Sequence, residues 1–199
     1  MNQIITVGRQ FGSGGRELAR RLAEALGWEY YDREVIEQIS EHTSFSEEYI
    51  RQVVEGQQHQ LYPITINHTM NFTTDQHARI IQSVYKAQCD LLRDLADKSN
   101  CVIVGRCADY ILRDRNPYRI FVYADMDSRV RRCMERQSSE ENLTEKTMRK
   151  QILKIDKLRA RYYLNHTGKT WGDKVNYDIC INTTGRNIKS MIPNLKGLV

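Results

Sequence analysis

Near its start the chain reads Gly8-Arg9-Gln10-Phe11-Gly12-Ser13-Gly14-Gly15-Arg16. An apolar run, residues 4–7, precedes this stretch, and helix-forming residues 17–26 follow it. The order predicts a buried strand, a glycine-rich turn and a helix. Glycines let backbone N–H groups converge on an anion, and the start of a helix adds a partial positive charge. The stretch therefore predicts a phosphate-binding loop; the alternative is a turn that only lets the helix pack closely on the strand.

The stretch departs from the P-loop pattern G-x-x-x-x-G-K-[ST]. With Gly14 as the second glycine, Arg9 stands at the first. Gly15 then stands at the lysine and Arg16 at the hydroxyl residue. Arginine binds phosphate as a planar fork, so Arg9 or Arg16 could substitute for the lysine. A cation at a helix N-terminus opposes the helix dipole unless an anion binds there, so we expect Arg16 to contact a ligand; the alternative is a solvated surface charge.

A dinucleotide-binding loop is the competing interpretation. Gly12-Ser13-Gly14 could begin a G-x-G-x-x-G motif, and Asp32 lies near the position of the ribose-binding acid. Glu17 occupies the third glycine position, however, where an acid would crowd the helix–strand contact and face the pyrophosphate. The sequence therefore favours a mononucleotide phosphate loop.

The composition is that of one α/β domain in a reducing compartment. The chain has 199 residues, a net charge of +5 and a pI near 8.9. We expect a site for anions but no nucleic-acid partner, because no long basic run is present. No apolar leader and no run of about 20 apolar residues is present, so we expect a cytoplasmic protein without a membrane partner. The cysteines lack the C-x-x-C spacing of a zinc site: Cys89, Cys101, Cys107, Cys133 and Cys180.

Strand-like and helix-like segments alternate along the chain, which predicts a mostly parallel, doubly wound sheet. The predicted strands are residues 4–7, 28–31, 101–106, 118–124 and 177–182. The predicted helices are residues 15–26, 35–41, 75–97, 109–115, 127–137, 143–164 and 187–195, with a further helix from Ser44 through Val54 and a loop over 61–74.

Several segments together resemble the cytidylate kinase-like proteins, a divergent branch of the P-loop nucleoside monophosphate kinases. The resemblance covers essentially the whole chain, and no single segment carries it alone. The segments are Arg9–Glu17, Tyr30-Tyr31-Asp32, Val104-Gly105-Arg106, Phe121–Ala124, Arg129–Arg136, Asp156–Tyr163, Trp171-Gly172 and Tyr177–Thr183.

The resemblance implies a three-layer α/β/α, P-loop NTPase-like fold with a helical NMP-binding lobe and a lid. Residues 1–199 would form a single domain whose core is 1–32 and 98–199. Residues 33–97 would be the NMP-binding insertion, and a lid-like segment would span about 134–165. A monomer is expected, with a homodimer as the alternative.

The resemblance also implies a donor site and an acceptor site. The donor nucleotide, ATP with Mg²⁺, would be held by Gly12, Ser13, Gly14, Gly15, Arg16, Glu17 and Arg132. The acceptor would be held by Asp32, Arg106 and Arg131. The catalytic residues would be Arg16, Arg106, Arg159 and Arg161, and no metal ligand is predicted from the protein. Arg106 also fits on independent grounds, because it directly follows a buried strand, at the edge where open α/β sheets bind ligands.

The implied activity is ATP-dependent phosphoryl transfer to a nucleoside monophosphate of the CMP or dCMP type, or to a related phosphorylated compound. Departures from the cytidylate kinase pattern keep a second class open. Gly15 replaces the lysine, Arg33-Glu34-Val35 replaces a small turn, and Gln38 stands where an arginine is usual. The alternative is a nucleotide-binding sensor that has lost transfer. A nucleic-acid-binding protein is a weaker third interpretation, because basic and aromatic residues are not interleaved.

Overall fold

The computed structural model describes residues 2–32, 74–137 and 143–198, with backbone alone for 74–78 and 80. In this part of the chain the strands form one parallel sheet in the order β2-β3-β1-β4-β5. The strands are β1 (Ile4–Arg9), β2 (Glu29–Tyr31), β3 (Cys101–Val104), β4 (Tyr118–Tyr123) and β5 (Ile179–Asn182). The predicted parallel α/β sheet is confirmed, and β5, whose place the sequence left open, is an edge strand.

The helices that connect the strands lie close to their predicted positions. They are α1 (Gly15–Leu26), α2 (Thr74–Lys98), α3 (Ala108–Ile111), α4 (Met126–Glu135), α5 (Glu145–Thr167) and α6 (Ile188–Lys196), with short 3₁₀ turns at Arg113–Arg115 and Lys174–Asn176. The helix predicted over 109–115 is thus a shorter helix followed by a 3₁₀ turn.

Two hydrophobic clusters give the domain its three layers. Neighbouring residues of a strand point to opposite faces of the sheet. Val102 and Val104 of β3 therefore pack with α1 and α6 on one face, whereas Ile103 packs with α2, α3 and α5 on the other. Both faces of the central strands are buried, as the apolar strand sequences require.

Side-chain caps fix where the two helices beside the loop begin. The hydroxyl of Thr144, the predicted cap of α5, accepts a hydrogen bond from the Thr147 N–H at 3.3 Å. A carboxylate oxygen of Asp125 accepts one from the Ser128 N–H at 2.7 Å and begins α4. Capping of this kind satisfies backbone donors that the helix itself leaves open.

Part of the predicted architecture cannot be compared with this structure. The helices predicted at 35–41 and 44–54 and most of the loop over 61–74 lie outside the described residues, as do residues 138–142 of the lid-like segment. The division into core, insertion and lid therefore stays a prediction. None of the described helices is long and apolar enough to cross a membrane.

The sheet topology decides where the site lies. In the sheet, β3 and β2 lie on one side of β1, and β4 and β5 lie on the other. The chain passes from β1 to β2 in one direction and from β3 to β4 in the opposite direction. Ligands bind in open α/β sheets outside the carboxyl ends of the strands, where the strand order reverses. At that point the end of β1, with Arg9, lies beside the end of β3, with Gly105.

We expect substitution of Leu18 by alanine to destabilise the fold strongly. Leu18 is fully buried between α1 and the sheet, and Leu18→Ala should lower the free energy of unfolding by about 2–5 kcal/mol. The matched control is Leu153→Ala on α5, because Leu153 is 57% exposed; the control should change stability by no more than about 0.5 kcal/mol. Urea unfolding of both variants measures the difference, and equal losses would contradict the layer assignment.

Candidate functional site

The loop between β1 and α1 depends on a glycine at position 12 for its path. Gly12 has a φ of 76°, in the left-handed region that other residues avoid. A Cβ atom there would lie 2.8 Å from the Arg129 carbonyl oxygen and 2.9 Å from Cys133 Sγ. The loop is therefore pressed against α4, with its backbone close to the surface of that helix.

Polar groups at the far end of the sheet hold the loop in this shape. The hydroxyl of Ser13 donates to the Gln10 carbonyl at 2.9 Å. The hydroxyl of Thr183, just after β5, donates to the Ser13 carbonyl at 2.7 Å. Arg132 of α4 donates to the Thr183 carbonyl at 2.5 Å and to the Ser13 carbonyl at 3.5 Å. The Ser13 side chain is fully buried in these contacts, so its hydroxyl is used inside the loop.

An ion pair between the buried Arg129 and the half-buried Asp156 ties the loop to both neighbouring helices. Arg129 Nε donates to the Phe11 carbonyl at 2.7 Å, and the Phe11 N–H donates to Asp156 Oδ1 at 2.8 Å. Arg129 of α4 and Asp156 of α5 also pair with each other. Sequence reasoning missed this clamp, because nothing in the local pattern around Arg129 shows that its side chain is buried.

A cavity of about 500 Å³ opens beside the loop. Its walls come from the end of β1 and the loop itself, from α4 and the two residues after it, and from α5 and a residue just before it. They are Arg9, Gln10, Phe11, Gly12, Gly14, Gly15, Arg16, Arg132, Cys133, Arg136, Gln137, Leu143, Met148, Gln151 and Arg159. Ligand sites of this size hold a nucleotide-sized molecule, and the start of α1 faces it with N–H donors.

A second, smaller chamber of about 50 Å³ lies at the carboxyl ends of β1 and β3. Its walls are Gly8, Arg9, Gly105, Arg106, Cys107, Asp109, Arg159, Tyr162, Tyr163, Trp171 and Tyr177. Arg9 and Arg159 line both the large cavity and this chamber. The two arginines therefore mark the boundary between the large cavity and the small chamber.

The arginines of the boundary sit in a positively charged environment. Arg159 Nη1 donates to the Arg9 carbonyl at 3.2 Å. Arg9 is 3.6 Å from a carboxylate oxygen of Asp32, and Arg16 Nε is 2.5 Å from the other oxygen. Burial, and then the charge of Arg159, hold the pKa of Arg9 well below its usual range. An anion that entered here would relieve this repulsion.

Arg106 follows β3 in a strained turn. Gly105, Arg106 and Cys107 have successive φ values of 72°, 60° and 54°. A left-handed conformation in residues other than glycine is uncommon and clusters at functional sites. The turn is held by Gln88 of α2, whose buried amide donates to the Arg106 carbonyl at 2.9 Å. The result is a buried Arg106 side chain in the wall of the small chamber.

An acid in the small chamber also has an altered pKa. The hydroxyl of Tyr163 donates to Asp109 Oδ2 at 2.6 Å. Burial nevertheless raises the pKa of Asp109, although the Tyr163 hydrogen bond acts in the opposite direction. Perturbed acids of this kind cluster at functional sites, and they also occur in structural networks.

The structure brings most of the predicted site residues together, but not all. Arg131 and Arg161 are exposed and line neither of the two cavities. Glu17 pairs with Arg21 at 2.9 Å and with Arg136, and it lies outside both cavity walls. The roles assigned to these residues stay predictions without support from this geometry.

The described residues also bear on magnesium. Among them, no three His, Cys, Asp or Glu side chains come together in a group that could hold a metal ion. Asp32 is a carboxylate close to the loop, and arginines hold it. Mg²⁺ in such sites is bound largely by substrate phosphates and water, with one or two carboxylates. Among the described residues, Asp32 is thus a carboxylate near the loop that could contribute to binding such an ion.

Comparison with known proteins assigns the class and then the family. The chain has the fold of P-loop kinases. It matches the cytidylate kinase-like family over residues 4–185, and it belongs to that family. The expected family and fold class are confirmed. No protein with a curated description matches the chain significantly.

Solved structures agree on the fold. An uncharacterized protein from Eubacterium ventriosum is 28% identical, with a TM-score of 0.68 over 99% of this chain and 98% of that one. A shikimate kinase from Bacteroides thetaiotaomicron is 15% identical, with a TM-score of 0.57 over 98% and 97%. A gluconokinase from Sinorhizobium meliloti is 13% identical, with a TM-score of 0.52 over 98% and 90%. Family and fold together support nucleotide-dependent phosphoryl transfer as the general class of activity.

We expect the clamp on Phe11 to contribute much more to stability than an exposed pair between the same two helices. Asp156→Ala leaves the buried guanidinium of Arg129 without its partner and should lower the free energy of unfolding by about 3–5 kcal/mol. Asp127→Ala breaks the exposed pair with Arg149 and should cost about 0–1 kcal/mol. Urea unfolding compares them, and a loss below about 1 kcal/mol in Asp156→Ala would contradict the clamp.

We expect Asp109 to give stability a specific pH dependence. Its folded-state pKa is raised, so the unfolded state ionises first as pH rises. The contribution of Asp109 to the free energy of unfolding should therefore be full below the ordinary value of 3.8 and fall as pH rises from there through the folded-state pKa. Asp109→Asn removes this titration. The free energy of unfolding of the wild type, relative to that of Asp109→Asn, should therefore fall as pH rises through this range. Unfolding curves of the two proteins at several pH values measure this difference, and a difference that does not change with pH would exclude the raised pKa.

Proposed function

We propose that the protein transfers the γ-phosphoryl group of ATP to a nucleoside monophosphate of the CMP or dCMP type, or to a related phosphorylated compound. The observation that carries the proposal is the shared wall of the two cavities. A nucleotide-sized cavity beside a glycine-rich loop meets a small cationic chamber, and Arg9 and Arg159 line both. Phosphoryl transfer needs positioning and charge neutralisation more than acid–base chemistry, and converging arginines supply both.

The donor triphosphate would lie along the loop in the large cavity. Backbone N–H groups of residues 12–16 and the start of α1 would face its phosphates, with Arg16 and Arg132 beside them. Mg²⁺, bound to these phosphates, would neutralise part of their charge. Arg132 already bonds the carbonyls of Ser13 and Thr183, so it would act mainly by holding the loop in place.

The acceptor phosphate would enter the small chamber. Arg106 and Arg159 would hold its oxygens, as charge-assisted hydrogen bonds favour. One oxygen of that dianion forms a bond to the γ-phosphorus while the bond from the γ-phosphorus to the bridging oxygen of ATP breaks. The electron pair of the broken bond stays on ADP, and no proton has to move. The side chains of α4 and α5 that wall the large cavity would limit access of water to the reacting group.

A nucleotide-binding sensor is the second candidate. The first residues of α1 offer neither the lysine nor the hydroxyl of the P-loop pattern. In that pattern the lysine reaches the β- and γ-phosphates and the hydroxyl binds Mg²⁺, so their loss affects phosphoryl transfer and not only binding. A sensor would bind ATP in the same cavity and make no product, so turnover separates the two candidates.

The proposal is tested by incubating the protein with ATP and Mg²⁺ and a panel of acceptors. CMP and dCMP come first, followed by the other nucleoside monophosphates; shikimate and gluconate, suggested by the names of two fold neighbours, extend the panel. We expect a nucleoside diphosphate, measured by chromatography, from one pyrimidine acceptor. A thermal shift with ATP but no product would favour the sensor. The absence of both a thermal shift and a product would refute nucleotide binding.

We expect Arg106→Met to lower kcat/KM by roughly 100-fold or more, the usual effect of removing one donor from a charge-stabilising site. Methionine keeps the length of the side chain without its charge. The matched control is Arg93→Met on the exposed surface of α2, which should retain wild-type activity. Equal activity of the two variants would exclude Arg106 from the site.

A further inference from the structure

The side chain of Arg9 occupies the space that a side chain at position 15 would need. A Cβ atom added to Gly15 would lie 2.5 Å from Arg9 Cβ, 3.2 Å from Arg9 Cγ and 3.1 Å from Val122 Cβ. Contacts between carbon atoms are ordinarily about 3.5–4.0 Å. With Arg9 in place, position 15 therefore has no room for the lysine of the P-loop pattern.

A second glycine makes room for the other end of the same side chain. A Cβ atom on Gly105 would overlap Arg9 Nη1 and lie 2.9 Å from Arg9 Cζ. The guanidinium thus rests on the backbone at the end of β3, next to β1 in the sheet. Arg9 runs from one glycine to the other, across the carboxyl edge of the sheet.

Arg9 and Arg16 differ in what surrounds them. The Arg9 side chain is 12% exposed and lines both cavities. The Arg16 side chain is 46% exposed and lines only the larger of the two. Arg16 is also the closer partner of Asp32, at 2.5 Å against 3.6 Å for Arg9. The carboxylate therefore offsets Arg16 more than it offsets Arg9.

We propose that Arg9, rather than Arg16, does the work of the missing lysine by contacting the donor phosphate that is transferred. Its planar fork can form two parallel hydrogen bonds to two oxygens of one phosphate, whereas a lysine ammonium acts as a compact point charge. Position 15 is glycine because the two side chains exclude each other. The identity of the ligand as a nucleoside triphosphate rests on the proposed function, whereas the exclusion rests on the contacts of Arg9 alone.

The exclusion is tested by a double-mutant cycle. R9G and G15K together restore the spacing G-x-x-x-x-G-K. Without ligand, G15K should lower the Tm by roughly 3–10 °C, as overpacking does in a chain of this length. The double variant R9G/G15K should regain most of that loss. A G15K variant as stable as the wild type, or a double variant no better than G15K, would overturn the exclusion.

The contact with phosphate is tested by binding, with R9M as the main variant because it keeps the packing of the side chain and removes its charge. R9M should bind ATP roughly 10- to 100-fold more weakly than the wild type, as expected for losing one charge-assisted contact. R9G/G15K should bind more tightly than R9G. The control R20M, on the exposed face of α1, should bind as the wild type does. Wild-type affinity in R9M, or a larger loss in R16M than in R9M, would overturn the assignment.

Inorganic tripolyphosphate separates this inference from the proposed function. If the wild type binds it and R9M binds it at least about tenfold more weakly, Arg9 is the phosphate contact even if no acceptor is ever phosphorylated. In that case only the proposed function fails. If the wild type binds tripolyphosphate and R9M binds it equally well, the inference fails although the protein still takes nucleotides. If the wild type does not bind tripolyphosphate, the inference fails as well.

Discussion

The position of one loop residue, Phe11, between α4 and α5 is the constraint on which the rest of the site depends. Its carbonyl accepts from Arg129, its N–H donates to Asp156, and those two side chains pair with each other. Three segments that are distant in sequence are thereby closed into one ring of partly buried polar contacts. Such a network loses much when one member is removed, because the remaining charge stays buried without its partner. The shape of the glycine-rich loop and the wall of the large cavity are therefore set together.

The site also brings several arginine side chains close together. Arg9, Arg106 and Arg159 all line the small chamber, and Asp32 offsets only part of the charge around Arg9. Bringing like charges together in a partly desolvated place opposes folding, so such a cluster is typical of a site that binds an anion. Membership of the cytidylate kinase-like family agrees with that interpretation. The fold neighbours at 13–15% identity show the same architecture. The chemistry of the site therefore has to be argued from the residues of this chain.

Much of the fold follows from local patterns, and the site follows from them only in outline. Apolar runs and helical spacing predict the described strands and helices to within a few residues, and Thr144 caps α5 as predicted because capping depends on neighbours in sequence. Helical spacing also separates Arg159 from Arg161, but it does not tell which one faces inward. The structure turns Arg159 toward the loop and leaves Arg161 in solvent. Ser13 shows the same limit, because its hydroxyl is used inside the loop rather than toward a ligand.

By itself the sequence determined the strand–turn–helix with its glycines, the alternation that requires a parallel sheet, and the resemblance to a kinase family. Each of these depends on residues close together in the chain or on the pattern as a whole. Only the tertiary structure decided which arginine meets which partner. Arg9 reaches Gly105 because β3 lies beside β1 in the sheet, and that neighbour is set by the strand order. In the sequence, a glycine at position 15 is a departure from the P-loop pattern. In the structure, the absence of a side chain there leaves the space that Arg9 fills.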